Sequence, residues 1–142
     1  MRHFCLPRFL RHGAADIVCC ATSSATPVLR GQWLKPGTFV DLVGGFTPSR
    51  READDDVVRH ARIFVDTFAG ALVEAGDILE PLARGVIARE RIEAELADLV
   101  CGRARGRVSG EEITVFKSVG TAIEDLAAAR LVVDAALQEG RA

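Results

Sequence analysis

Small and hydroxylated residues stand where three hydrophobic runs stop. Thr22, Ser23 and Ser24 follow Asp16-Ile17-Val18-Cys19-Cys20-Ala21. Val43, Gly44, Gly45 and Phe46 close a run that opens at Thr38, and Lys117 and Ser118 close Ile113-Thr114-Val115-Phe116. Hydroxyls and turn amides in such places can hydrogen-bond a ligand, and paired glycines let the backbone pass close to one. The same residue types make ordinary turns, and Ser118 also suits the N-cap of a following helix. Arg50, beside Arg51, reads by residue type alone as a surface side chain. Asp54, Asp55 and Asp56 read as the solvated start of a helix, where the dipole favours acids, rather than as a metal site. Glu124 and Asp125 read as solvated helix acids, and His3, His12 and His60 have no Ser or Cys partner at a readable spacing.

The elements that must position these residues follow from periodicity. Runs at 16–21, 38–43, 62–66 and 113–117 are short, β-branched and bounded by small or polar residues, as buried parallel strands are. Between the first two, Pro27, Gly31, Pro36 and Gly37 leave room for a turn or two of helix at most. Residues 52–62 read as a short charged helix, 69–74 and 92–100 as further short helices, and 102–107 as a basic, solvated turn. Residues 119–138, rich in Ala, Leu and Val with Gly140 beyond, predict a long helix. The fold class is therefore α/β, a partial doubly wound parallel sheet with a long C-terminal helix. Neither GxGxxG nor GxxxxGK[ST] occurs, so the sheet is expected to begin at a fourth strand, without the first strands and their glycine-rich loop.

Composition narrows the function classes. The 142 residues fit one domain, and 49% hydrophobic with 27% charged residues is a globular balance. A formal net charge of −2 gives no footprint for nucleic acid. No apolar run approaches the roughly 20 residues of a membrane helix, and the basic segment 1–13 lacks the apolar core of a secretory signal. Cys5, Cys19, Cys20 and Cys101 include no CxxC pair, so no metal is expected; buried reduced thiols and a cytoplasmic location are.

Ala15-Asp16-Ile17-Val18, Ala21-Thr22-Ser23-Ser24, Trp33-Leu34-Lys35-Pro36-Gly37-Thr38, Val43-Gly44-Gly45, Arg51-Glu52 and Glu74-Ala75-Gly76-Asp77 occur in that order, and Glu112-Ile113-Thr114-Val115-Phe116-Lys117-Ser118-Val119-Gly120 follows. Together they resemble the ornithine cyclodeaminase/mu-crystallin family over roughly residues 14–138. The resemblance implies a Rossmann-like domain using NAD or NADP, with residues 14–142 as its C-terminal part and 1–13 as a segment of other origin. It implies cofactor contacts from Thr22, Ser23, Ser24, Val43, Gly44, Gly45, Arg50 and Ser118, with Phe46 and Lys117 near the substrate. It implies a small-molecule partner, a cyclic imine or an amino acid, and a usual homodimer whose forming region lies in the family's N-terminal part, absent here. Ornithine cyclodeaminases carry an aspartate directly after the two glycines; Phe46 stands there in this chain and cannot move a proton. The resemblance therefore favours the branch that reduces Δ1-pyrroline-2-carboxylate, with ornithine cyclodeamination and a non-catalytic binding or truncated product as alternatives. Without a glycine-rich turn, the chain alone is expected to bind the dinucleotide weakly and to be inactive.

Overall fold

A computed structural model describes residues 15–140; the expectations for residues 1–13 and for Cys5 lie outside them. Five strands form one sheet: β1 (Ile17–Cys20), β2 (Phe39–Leu42), β3 (Arg62–Val65), β4 (Ile92–Glu95) and β5 (Thr114–Lys117). Their order is β1-β2-β5-β3-β4, and every pairing is parallel. The last strand in sequence thus fills the slot between β2 and β3. All five carboxyl ends point the same way, as a parallel sheet with crossover connections requires.

Register sets the faces. Val18 pairs with Val40 and Val40 with Val115, while Ile63 pairs with Val115 and Val65 with Lys117. Opposed residues share a face, so Val18, Cys20, Val40, Leu42, Val115, Ile63 and Val65 line one side. That side is buried under α1 (Asp55–His60), α2 (Phe68–Glu74) and α3 (Gly76–Ala83) through Val57, Val58, Ala71, Ala75 and Ile78. The other side is covered in part. There α4 (Leu96–Val100) and the following loop flank an open pocket of about 450 Å³ lined by Phe39, Phe64, Leu96, Leu99 and Phe116, while Ile17 stays 46% exposed.

Local chemistry sets the helix boundaries. Asp54 caps α1, its carboxylate accepting from the Asp56 and Val57 amides, so the acidic triplet is a helix start. Thr67 caps α2 in the same way through the Gly70 amide. α2 gives way to α3 at Gly76, whose Cα lies against the Arg50 and Thr47 carbonyls so closely that no side chain fits. The long helix α5 (Ala122–Gln138) starts after Gly120, at φ 88°, and is capped by Thr121. Ser118 is therefore not its cap.

Three expectations change. Residues 92–100 are not one helix: Ile92–Glu95 form the edge strand β4, and only Leu96–Val100 are helical. Helix-favouring Glu, Ala and Leu mask a four-residue strand, and pairing with β3 while burying Ile92 and Ala94 outweighs propensity. The helix α3 has no counterpart among the expected elements. Of the thiols, Cys20 is buried but Cys19 and Cys101 are exposed, because Cys19 faces the partly covered side and Cys101 lies in the turn after α4.

Candidate functional site at the carboxyl ends of the strands

The loops that follow β1, β2, β3 and β5 meet at one end of the sheet, and buried ionic side chains tie them together. Glu52 is fully buried. Its Oε1 accepts from the Thr22 amide, and its Oε2 accepts from the Gly44 amide at 2.6 Å. Its own amide donates to Asp77 Oδ1 at 2.8 Å, and its carbonyl accepts from the Val28 and Leu29 amides. The loop after β1 is further held by Arg50, which donates to the Ser23 carbonyl, and by the Arg51 amide, which donates to the Ser24 carbonyl at 3.1 Å.

Lys117 stands in the last row of the covered face, level with Leu42 and Val65. Its Nζ donates to the Leu42 carbonyl and, at 2.6 Å, to that of Ser118. Burial pushes the Lys117 ammonium below the usual lysine range, opposed by the charges of Asp77, Glu52, Asp66 and Asp41. Burial pushes the Asp77 carboxyl up, against the pull of the Ala53 and Glu52 amides and of Lys117. Its Oδ2 has no hydrogen-bond partner among the described residues, and a side chain at Gly45 would collide with it. Asp66 joins β3 to the loop after β5: Oδ1 accepts from the Thr67 amide, and Oδ2 accepts from the Val119 and Gly120 amides, both at 2.8 Å.

Thr22, Ser24, Gly44, Gly45, Arg50 and Ser118 thus come together at one end of the sheet. Val43 (40% exposed) and Phe46 (46%) present apolar surface beside them, and Val43 is fixed by its amide on the Cys20 carbonyl. Thr22 Oγ1 accepts from the Ser24 amide at 3.3 Å. The two glycines face inward: a Cβ on Gly44 would meet the Thr22 carbonyl and Glu52. Lys117 is enclosed, with both of its hydrogen bonds to carbonyls. The basic loop lies at the opposite end of the sheet, where Arg107 bonds Thr114 Oγ1 at 2.7 Å and Arg103 pairs with Asp98.

Sequence reasoning gave no role to Glu52, Asp66 or Asp77. Glu52 sits next to a run of acids that looks solvated, and only its burial separates it from them. Among the described residues no group of three or more His, Cys, Asp or Glu side chains could hold a metal ion, and no helix is long and apolar enough to cross a membrane.

The profile of the ornithine cyclodeaminase/mu-crystallin family matches residues 12–140. The chain belongs to that family. Among the family's proteins, a Δ1-pyrroline-2-carboxylate reductase of Paracoccus denitrificans is 46% identical over 114 residues, covering 80% of this chain and 36% of that protein. The ketimine reductase mu-crystallin of Mus musculus is 40% identical over 120 residues, 84% of this chain and 36% of that protein. The Δ1-pyrroline-2-carboxylate reductase of Thermococcus litoralis, solved in complex with NADH and L-proline, superposes with a TM-score of 0.84 at 43% identity, over 90% of this chain and 40% of that one. The fold is thus Rossmann-like, and the chain spans well under half the length of these relatives.

Proposed function

We propose that this chain forms the part of an NAD(P)H-dependent cyclic-imine reductase that holds the nicotinamide end of the cofactor, with Δ1-pyrroline-2-carboxylate as the substrate. Phe46 carries the reading. It is exposed at the end of β2, directly after the paired glycines, where a cyclodeaminase places an aspartate. Reduction needs a bound imine with a hydride donor held beside its carbon, and no carboxylate at that position. The kinship with reductases of Paracoccus denitrificans and Thermococcus litoralis supports the same choice.

The strand ends fit such a cofactor. Val43 and Phe46 offer an apolar wall for a flat ring, and the hydroxyls of Thr22 and Ser118 offer polar contacts for its amide and ribose, while that of Ser24 is held in its turn by Thr26. NAD(P)H would supply the hydride. Thr22, Ser23, Ser24, Arg50 and Ser118 orient the cofactor in this scheme, Val43, Gly44 and Gly45 shape its wall, and Phe46 excludes water at the imine. Lys117 acts by fixing the ends of β2 and β5. A homodimer and a cytoplasmic setting belong to the same proposal.

The test is a chimera in which this chain replaces the corresponding 40% of the Thermococcus litoralis enzyme. The expected outcome is NAD(P)H consumption with Δ1-pyrroline-2-carboxylate and little ammonia from ornithine. Efficient release of ammonia from ornithine with no imine reduction would overturn the assignment.

A further inference from the structure

Every polar atom of Glu52 is engaged, and its partners lie on separate segments. Its amide is held by Asp77 at the start of α3, and its carbonyl takes the Val28 and Leu29 amides. The carboxylate of this fixed arm reaches the carboxyl ends of β1 and β2 at once, one oxygen on the Thr22 amide and the other on the Gly44 amide. Charge-assisted bonds of this kind are short and directional. The geometry leaves little freedom, because Gly44 packs against the Thr22 carbonyl without room for a Cβ.

We propose that Glu52 is the positioning residue of the nicotinamide site: its carboxylate sets the spacing between the loop of Thr22 and the loop of Gly44, and so the width of the cleft that receives the ring. The inference rests on the proposed cofactor reading. Glu52 is fully enclosed, so its effect passes through the two amides it holds. A carboxylate is required because both groups facing it are donors. In the Glu52→Gln variant the side-chain NH₂ would face one of those donors and push its loop away.

The probe is reduced nicotinamide mononucleotide, which carries the ring and ribose without the rest of the dinucleotide, titrated into the 142-residue chain and followed by amide NMR. Wild type is expected to bind it in the millimolar range, with shifts at Thr22, Val43, Gly44 and Ser118. Glu52→Gln is expected to keep the spectrum of a folded chain, to move the Thr22 and Gly44 amides upfield, and to bind about tenfold more weakly. Binding as tight as wild type by folded E52Q would overturn the role of Glu52 while leaving the cofactor site standing. No binding by wild type would overturn the cofactor reading, and with it the inference. Should E52Q not fold, hydrogen exchange in wild type decides. The Thr22 and Gly44 amides, held by one carboxylate, are expected to slow in parallel as the mononucleotide is added, and slowing at only one or neither overturns the proposal.

Discussion

Lys117 Nζ lies 3.0 Å from the Leu42 carbonyl oxygen and closes the sheet where β2 and β5 end. The Ser118 amide reaches the same oxygen at 3.2 Å, so the ammonium adds a second donor where the ladder runs out. Lys117→Met keeps the apolar stem but takes a donor from the Leu42 and Ser118 carbonyls and removes a positive charge that buried Glu52 and Asp77 interact with. The expected loss is about 3 kcal/mol of stability, read by urea unfolding. A variant as stable as wild type would show that the ammonium is dispensable.

Asp77 gives a pH signature. Burial raises its folded value above that of the unfolded chain, so the folded state keeps the proton to higher pH. Stability from this group therefore falls as pH climbs from the ordinary carboxylate range through the raised value. Asp77→Asn lacks this loss, so its stability relative to wild type is expected to be greater at about pH 7 than at about pH 4. Paired urea melts check it; an offset that does not change with pH would contradict it.

Gly44 has no room for a side chain against the Thr22 carbonyl and Glu52. Gly44→Ala is expected to cost about 1–3 kcal/mol and to release both Glu52 contacts, visible as faster amide exchange at Thr22. Gly110, where an added Cβ would meet nothing, is the control: alanine there is expected to leave the Thr22 amide unchanged.

The dinucleotide offers a further check. The chain has no GxGxxG turn to take a pyrophosphate. Isothermal titration of NADH or NADPH into the 142-residue protein is expected to show binding weaker than micromolar. A micromolar dissociation constant would mean that the strand-end loops anchor the cofactor unaided.

Phe46 separates the two chemistries proposed for its position. In the chimera, Phe46→Asp is expected to lower imine reduction and to raise ammonia release from ornithine, both followed in one assay. Unchanged rates for both substrates would show that the residue after the glycines is not the discriminator.

Four of the five strands were legible because β-branched runs ending in small residues have few other uses. β4 was not, since Ile92-Glu93-Ala94-Glu95 carries the same residue types as a helix and its partner β3 is distant in sequence. At the site, the hydroxyl and glycine positions could be read from type and order. Glu52, Asp66 and Asp77 could not, because a carboxylate among other carboxylates looks solvated until the fold shows which one is enclosed. Lys117 was legible only as the end of a strand, and only the packed structure shows its ammonium turned back onto backbone carbonyls.

The helix α5 has no buried residue along its 17 positions, and Ile123, Leu126, Leu131, Val132 and Leu137 are each at least 60% exposed. A helix of that length standing free is only marginally stable in water. Calorimetry of this chain is therefore expected to register two different materials: the sheet and its helices melting as one cooperative block ending near Gly120, and a terminal segment that unwinds gradually and adds little latent heat.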